Sequence, residues 1–199
     1  MADYVIEMLN ITKEFEKEFA KWNGTKYALA HSSGTASLQA AMFGLGLGHG
    51  DEIICPSITY WASGLPAMSL GASIVFADID PKTLCLDPVD FEKRITPRTK
   101  AIMVIHMGNR PCNMDRIMEI ANAHHIPVVE DACQAVCGLY KGRRLGSIGK
   151  IGCFSFNNYK NITSGEGGKG PKAFSEWMPM MFSAGDNYAR FTADKMKAA

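Results

Sequence analysis

The sequence predicts an α/β protein, a mostly parallel sheet with helices on both faces. Three features carry this reading. Short apolar, β-leaning runs alternate with longer mixed segments along the chain, as strand–helix–strand units do. Several runs, such as Ile102-Met-Val-Ile105 and Val128-Val129, are continuously apolar rather than alternating, which suits strands covered on both faces. Helix start signals stand between them.

Taken in order, the strand candidates are Lys26–His31, Glu52–Ile58, Ser73–Asp80, Ala101–Met107, Pro127–Ala132 and Ile151–Phe156. Between the first two, 36–45 forms a helix whose Leu38, Ala41, Met42 and Leu45 share one stripe. Asp87 is a cap and Pro88 a first-turn residue, with Leu86 and Phe91 at staple spacing. Asn113 precedes a helix carrying Met114, Ile117, Met118 and Ala121. The glycine-rich stretch Gly44 to Gly50 follows a helix rather than a strand and has His49 where a dinucleotide loop needs its third glycine, so it reads as a flexible helix end. From Lys169 onward Pro171 and Pro179 interrupt regular structure, and Met178, Met180, Met181 and Phe182 cluster without a clear period.

The chain has 199 residues, 47% apolar and 21% charged, with a net charge of +1. A partner held by bulk charge, whether nucleic acid or an anionic membrane, is disfavoured. No apolar run approaches the ~18 residues of a membrane span. The first ten residues carry no basic cluster ahead of apolar residues, so they do not read as a secretory signal. The six cysteines form no C-x-x-C pair and read as reduced, buried small hydrophobes of a cytoplasmic protein. Cys133 and Cys137 with His124 and His125 fit no common zinc spacing, and no metal site is expected.

Open α/β sheets bind ligands beyond the carboxyl ends of their strands. The first strand ends in His31-Ser-Ser-Gly-Thr-Ala36, a small turn at a helix start that serves equally as a phosphate cradle or an ordinary cap. The fifth ends in Glu130-Asp131, an acidic pair that needs a partner: a structural Arg or Lys, or a protonated cofactor nitrogen. The sixth runs into a polar loop containing Lys160, which alone reads as a solvated surface charge. Together with Tyr60 near a second strand end, these pieces supply what pyridoxal phosphate requires: a phosphate cradle, a stacking face, an anion for the ring nitrogen and an amine.

At this point the sequence resembles the sugar aminotransferases of the DegT/DnrJ/StrS type, fold-type-I pyridoxal-phosphate enzymes. The resemblance runs from Glu14 to Gly168. It includes Ser33-Gly-Thr-Ala36, Pro56-Ser-Ile-Thr-Tyr60, Asp78-Ile-Asp80, Val129-Glu-Asp-Ala132, Gln134, Phe154-Ser-Phe156, Lys160-Asn161 and Gly165-Glu-Gly-Gly168. It implies roles. Gly34 and Thr35 match the phosphate turn, with Ser155 adding a hydroxyl. Tyr60 takes the ring-stacking position. Asp131 matches the carboxylate that keeps the pyridine nitrogen protonated, and Gln134 lies near the ring hydroxyl. Lys160 matches the Schiff-base lysine that also shuttles the proton. Where related dehydratases carry histidine, this chain has Lys160, which favours amino transfer.

The resemblance further implies an amino-acid donor, glutamate or glutamine, and a keto sugar acceptor, commonly nucleotide-linked. It also implies a homodimer whose Asn187 segment reaches the neighbour's cofactor. Departures accompany it. The chain is much shorter than family members and reads as a truncated large domain, 1–168 with a partial arm at 1–25, its C-terminal small domain absent. The segment 169–199 is an atypical tail, and the last strand of the sheet is expected to be damaged. Asn109 stands where glycine is common. The alternative function is a fragment without catalysis that binds the cofactor weakly or serves only in subunit contacts.

Overall fold

The structure, a computed structural model, describes residues 2–157, 159, 160, 162 and 180–184. Its order is α1 (Ala2–Asn23), β1 (Tyr27–His31), α2 (Gly34–Gly44), β2 (Glu52–Pro56), a 3-10 turn (Trp61–Ser63), α3 (Leu65–Ser69), β3 (Ser73–Ala77), α4 (Pro88–Lys93), β4 (Thr99–Ile105), α5 (Met114–Ala123), β5 (Val128–Asp131), β6 (Leu139–Tyr140), β7 (Arg143–Arg144), β8 (Ile151–Cys153) and β9 (Met180–Ala184). Seven strands make one sheet in the order β1-β9-β8-β5-β4-β2-β3. Every neighbouring pair among β8, β5, β4, β2 and β3 is parallel, and β9 pairs antiparallel with both β1 and β8.

The continuous apolar runs follow from burial on both faces. In β4, Ala101, Met103 and Ile105 pack with Leu38, Ala41 and Met42 of α2, while Ile102 and Val104 turn to Phe91 of α4 and Met114, Ile117 and Ala121 of α5. Successive residues of the 101–105 stretch alternate between the two helix layers, so both sets are apolar. The helix signals act as read: Asp87 accepts from the Val89 N–H at 2.9 Å, and Asn113 accepts from the Arg116 N–H at 3.4 Å.

The glycine-rich stretch is a helix end. Gly46, at φ +77, lets its own N–H reach the Phe43 carbonyl and the Leu47 N–H reach that of Met42, closing the last turn of α2. A third apolar cluster joins α1 to the sheet: the Phe19 ring lies edge-on to Phe154 at 5.1 Å and to Phe156 at 6.0 Å. At the end of α1, Arg144 donates to the Trp22 carbonyl at 2.6 Å and covers the Trp22 ring at 3.9 Å, tying the β6–β7 hairpin to the helix.

The last strand corrects an expectation. Met180–Ala184 fills the slot between β1 and β8, with Leu29 opposite Phe182 and Cys153 also opposite Phe182. The strand expected to be damaged is therefore supplied from beyond Lys169. Cys137 is a second correction, being exposed at φ +71 while the other five cysteines are buried and free. Among the described residues no helix is long and apolar enough to cross a membrane.

Candidate active site

The carboxyl ends of β1, β2, β5 and β8 open onto one cavity of ≈460 Å³, at the edge of the sheet where such folds bind ligands. Seven sequence-predicted residues line it: Gly34, Thr35, Tyr60, Asp131, Gln134, Ser155 and Lys160. Asn187 lies outside the described residues.

The first wall is the start of α2. Ser33 stands in extended backbone, its Oγ accepting the Ala36 N–H at 3.0 Å and its carbonyl the Ser37 N–H at 2.9 Å. Gly34 and Thr35 open the helix on the cavity. An 11-residue helix brings the positive end of its dipole there. Ser33 is thus an ordinary helix cap, and it lines the cavity together with Gly34 and Thr35.

Tyr60 precedes the 3-10 turn after β2. Its ring is 57% exposed and lies 5.2 Å from Trp61, tilted by 44°. Ser155 reaches the cavity by strand-like alternation. Phe154 and Phe156 turn into the α1 cluster, which sends the side chain between them the other way. It is 4% exposed.

Asp131 ends β5 and is 6% exposed. Its Oδ1 accepts the Cys133 N–H at 3.1 Å and its Oδ2 accepts the Ser63 hydroxyl at 2.7 Å. The carboxylate also acts on its surroundings. Burial first, then the Asp131 charge, pushes the Cys55 thiol up to about 12, and both push Cys133 and Cys153 well above the usual thiol range. Of these three, Cys133 lines the cavity, where the raised pKa favours the thiol over the more nucleophilic thiolate.

Gln134 accepts the Gly108 N–H on Oε1 at 3.0 Å. Gly108 and Asn109 both have positive φ, 55° and 65°, and asparagine is among the side chains that tolerate this conformation. Asn109 thus performs the turn that glycine would. With Oε1 engaged, the amide nitrogen of Gln134 is left as the donor at the cavity. Lys160 follows β8, its N–H on the Asn157 carbonyl at 3.0 Å. Its charge pulls the Cys133 thiol downward, against burial.

Sequence reasoning did not assign Ser63 to the site and, for a site, weighed Cys133 only as a zinc ligand, yet both line the cavity. Ser63 had a signal, since it stands three residues after Tyr60, one turn on. Neither did it find the partners of Glu130. This carboxylate accepts the N–H groups of Gly146 at 2.8 Å, Ile148 at 2.6 Å and Gly149 at 2.5 Å, and pairs with His106. The acidic pair divides: Glu130 braces the 146–149 loop and Asp131 faces the cavity.

An open, mainly parallel sheet whose strand ends gather a helix N-terminus, a buried carboxylate and a lysine around one polar cavity defines a cofactor-binding α/β domain. The chain belongs to the DegT/DnrJ/EryC1/StrS aminotransferase family, whose profile matches residues 3–169. GDP-perosamine synthase of Caulobacter vibrioides is 45% identical over 175 residues, covering 83% of this chain and 47% of that protein. The aminotransferase from Psychrobacter cryohalolentis superposes with a TM-score of 0.82 at 36% identity, covering 92% of this chain and 44% of that one. NtdA from Bacillus subtilis, solved with bound cofactor PMP, gives a TM-score of 0.77 at 30% identity over 94% of this chain and 43% of its own. The chain spans less than half the length of the curated relatives it matches most strongly, from 36 to 47% of each.

Proposed function

We propose that this chain is the cofactor-binding part of a sugar aminotransferase that moves an amino group from glutamate or glutamine to a keto sugar. The cofactor is pyridoxal 5′-phosphate. The observation that carries the reading is the convergence of Gly34, Thr35, Tyr60, Asp131, Gln134, Ser155 and Lys160 on one cavity. Each answers one feature of that molecule. The start of α2 and the Ser155 hydroxyl suit its phosphate. The open Tyr60 ring suits its heteroaromatic plane. The Gln134 amide nitrogen suits its ring hydroxyl, and Lys160 suits its aldehyde.

When bound, the cofactor supplies an electron sink that stabilises negative charge on the substrate carbon next to the amine. The chain's own residues do the rest. Asp131 holds a proton on the ring nitrogen by an ion-paired hydrogen bond. With the cofactor bound, Lys160 would be the amine that holds it at its aldehyde, and the same neutral amine would take and return the proton at the substrate carbon. Protonated Cys133 leaves the aldehyde to the lysine.

The GDP-sugar named in the Caulobacter relative supports a nucleotide-linked keto sugar as acceptor. Tyr60, Trp61, Leu65 and Met68 expose a large apolar surface beside the cavity mouth, at 57, 59, 44 and 58%. Such a surface suits a second copy of the chain, and we assign a homodimer to the working enzyme, with Asn187 as the expected contribution across it. The buried free thiols suit a reducing compartment and a cytoplasmic protein.

The test is a half-reaction. Chain loaded with pyridoxal phosphate is mixed with glutamate or glutamine, and the absorbance is followed as the cofactor changes to its amine form. A GDP- or TDP-linked keto sugar is then added. Conversion by the amino acid and reversal by the keto sugar is the expected result. Bound cofactor that no amino acid converts would favour the alternative, a fragment that binds without catalysis.

A further inference from the structure

We propose that Ser63 is a positioning residue for Asp131, the terminal member of a one-way hydroxyl relay from Thr59 that fixes where the carboxylate points. The proposal rests on the reading of Asp131 as the partner of the cofactor's ring nitrogen.

The relay follows from counting protons. Ser63 Oγ lies 2.7 Å from Asp131 Oδ2 and 2.7 Å from Thr59 Oγ1. A carboxylate only accepts, so the single Ser63 proton is committed to Asp131. The Thr59–Ser63 bond must then run from Thr59 to Ser63. The direction Thr59→Ser63→Asp131 is fixed by chemistry, and each bond polarises the next.

The inner link of the relay is buried and mounted on a short turn, while Thr59 is half-buried. Ser63 is 1% exposed and closes the 3-10 turn with its N–H on the Tyr60 carbonyl at 2.9 Å. The Cys133 N–H holds Oδ1 while Ser63 holds Oδ2. Two donors from opposite sides pin the carboxylate rotation, and only a pinned carboxylate offers its remaining lone pairs in one direction. The same short turn carries Tyr60, so the stacking face and the carboxylate brace move as one unit.

The geometry distinguishes a ligand with a ring N–H from one without. Affinities of pyridoxal phosphate and of its 1-deaza analogue, in which a ring C–H replaces the nitrogen, are measured by absorbance titration on the full chain and on S63A, S63T and T59V. The wild type is expected to prefer pyridoxal phosphate. S63A should lose about tenfold in affinity for pyridoxal phosphate, the scale of one hydrogen bond to a charged group, and stay within about twofold for the analogue. S63T, which keeps the hydroxyl, should restore the preference. T59V removes the upstream donor at nearly constant shape and should lose preference in the same direction by a smaller factor; it carries the test if S63A fails to fold. Equal losses for both ligands, or an unchanged preference in S63A or T59V, would overturn the relay while leaving the Asp131 assignment intact. A wild-type chain that binds both ligands equally would overturn the Asp131 reading, and the relay with it.

Discussion

His106 Nε2 lies 2.9 Å from Glu130 Oε2, and neither side chain is exposed at all. The Cys112 N–H donates to His106 Nδ1 at 3.2 Å, so the ring proton sits on Nε2 and is donated to the carboxylate. Glu130 thereby collects four donors: one imidazole and three backbone amides from the 146–149 loop. Its neighbour Asp131 faces the cavity, and the braced loop leads into β8 and the Lys160 segment.

Replacing Glu130 by Gln tests that brace. A carboxamide accepts on one side only, so its NH2 would face either the His106 and Gly146 donors or those of Ile148 and Gly149. We expect a loss of about 3 kcal/mol of stability, measured as a lower urea midpoint at unchanged slope. An unchanged midpoint would mean the loop is held by other contacts.

His31 predicts a pH dependence. Burial holds its imidazole below the usual 6.5, so the unfolded chain takes up the proton first. Its contribution to stability is complete above about pH 6.5 and is lost as pH falls toward the lowered folded value. The urea midpoint should drop between pH 7 and pH 5 more steeply in the wild type than in His31→Gln. Parallel slopes would show that His31 does not titrate across folding.

Asp131→Asn keeps shape and removes charge. The variant should bind pyridoxal phosphate about 10–100-fold more weakly, the range for a hydrogen bond to a charged group. Full affinity in the variant would refute the ring-nitrogen role.

Much of this was written in the sequence. The both-face burial of Ile102-Met-Val-Ile105, the Asp87 and Asn113 caps and the small turn at Ser33 each act locally, and local signals survive reading in one dimension. Glu130 was legible only as a carboxylate in need of a partner. Three of its four partners are backbone amides 16 to 19 residues on, and a backbone N–H has no residue type to betray it. Met180–Ala184 was illegible for a related reason. Its methionines carry no strand period, and its conformation is set by the open edges of β1 and β8, which pair with it on both sides. Gly152 shows a third kind of hidden constraint. A Cβ there would meet the backbone of Gly146, a close approach that only the folded chain reveals.

The central claim is that Lys160 is the amine that holds the cofactor. The chain is incubated with pyridoxal phosphate, reduced with borohydride, digested and mapped by mass spectrometry. The account predicts the reduced cofactor mass on the peptide containing Lys160 and its loss in Lys160→Ala. A stoichiometric adduct at another lysine, persisting unchanged in that variant, would contradict it.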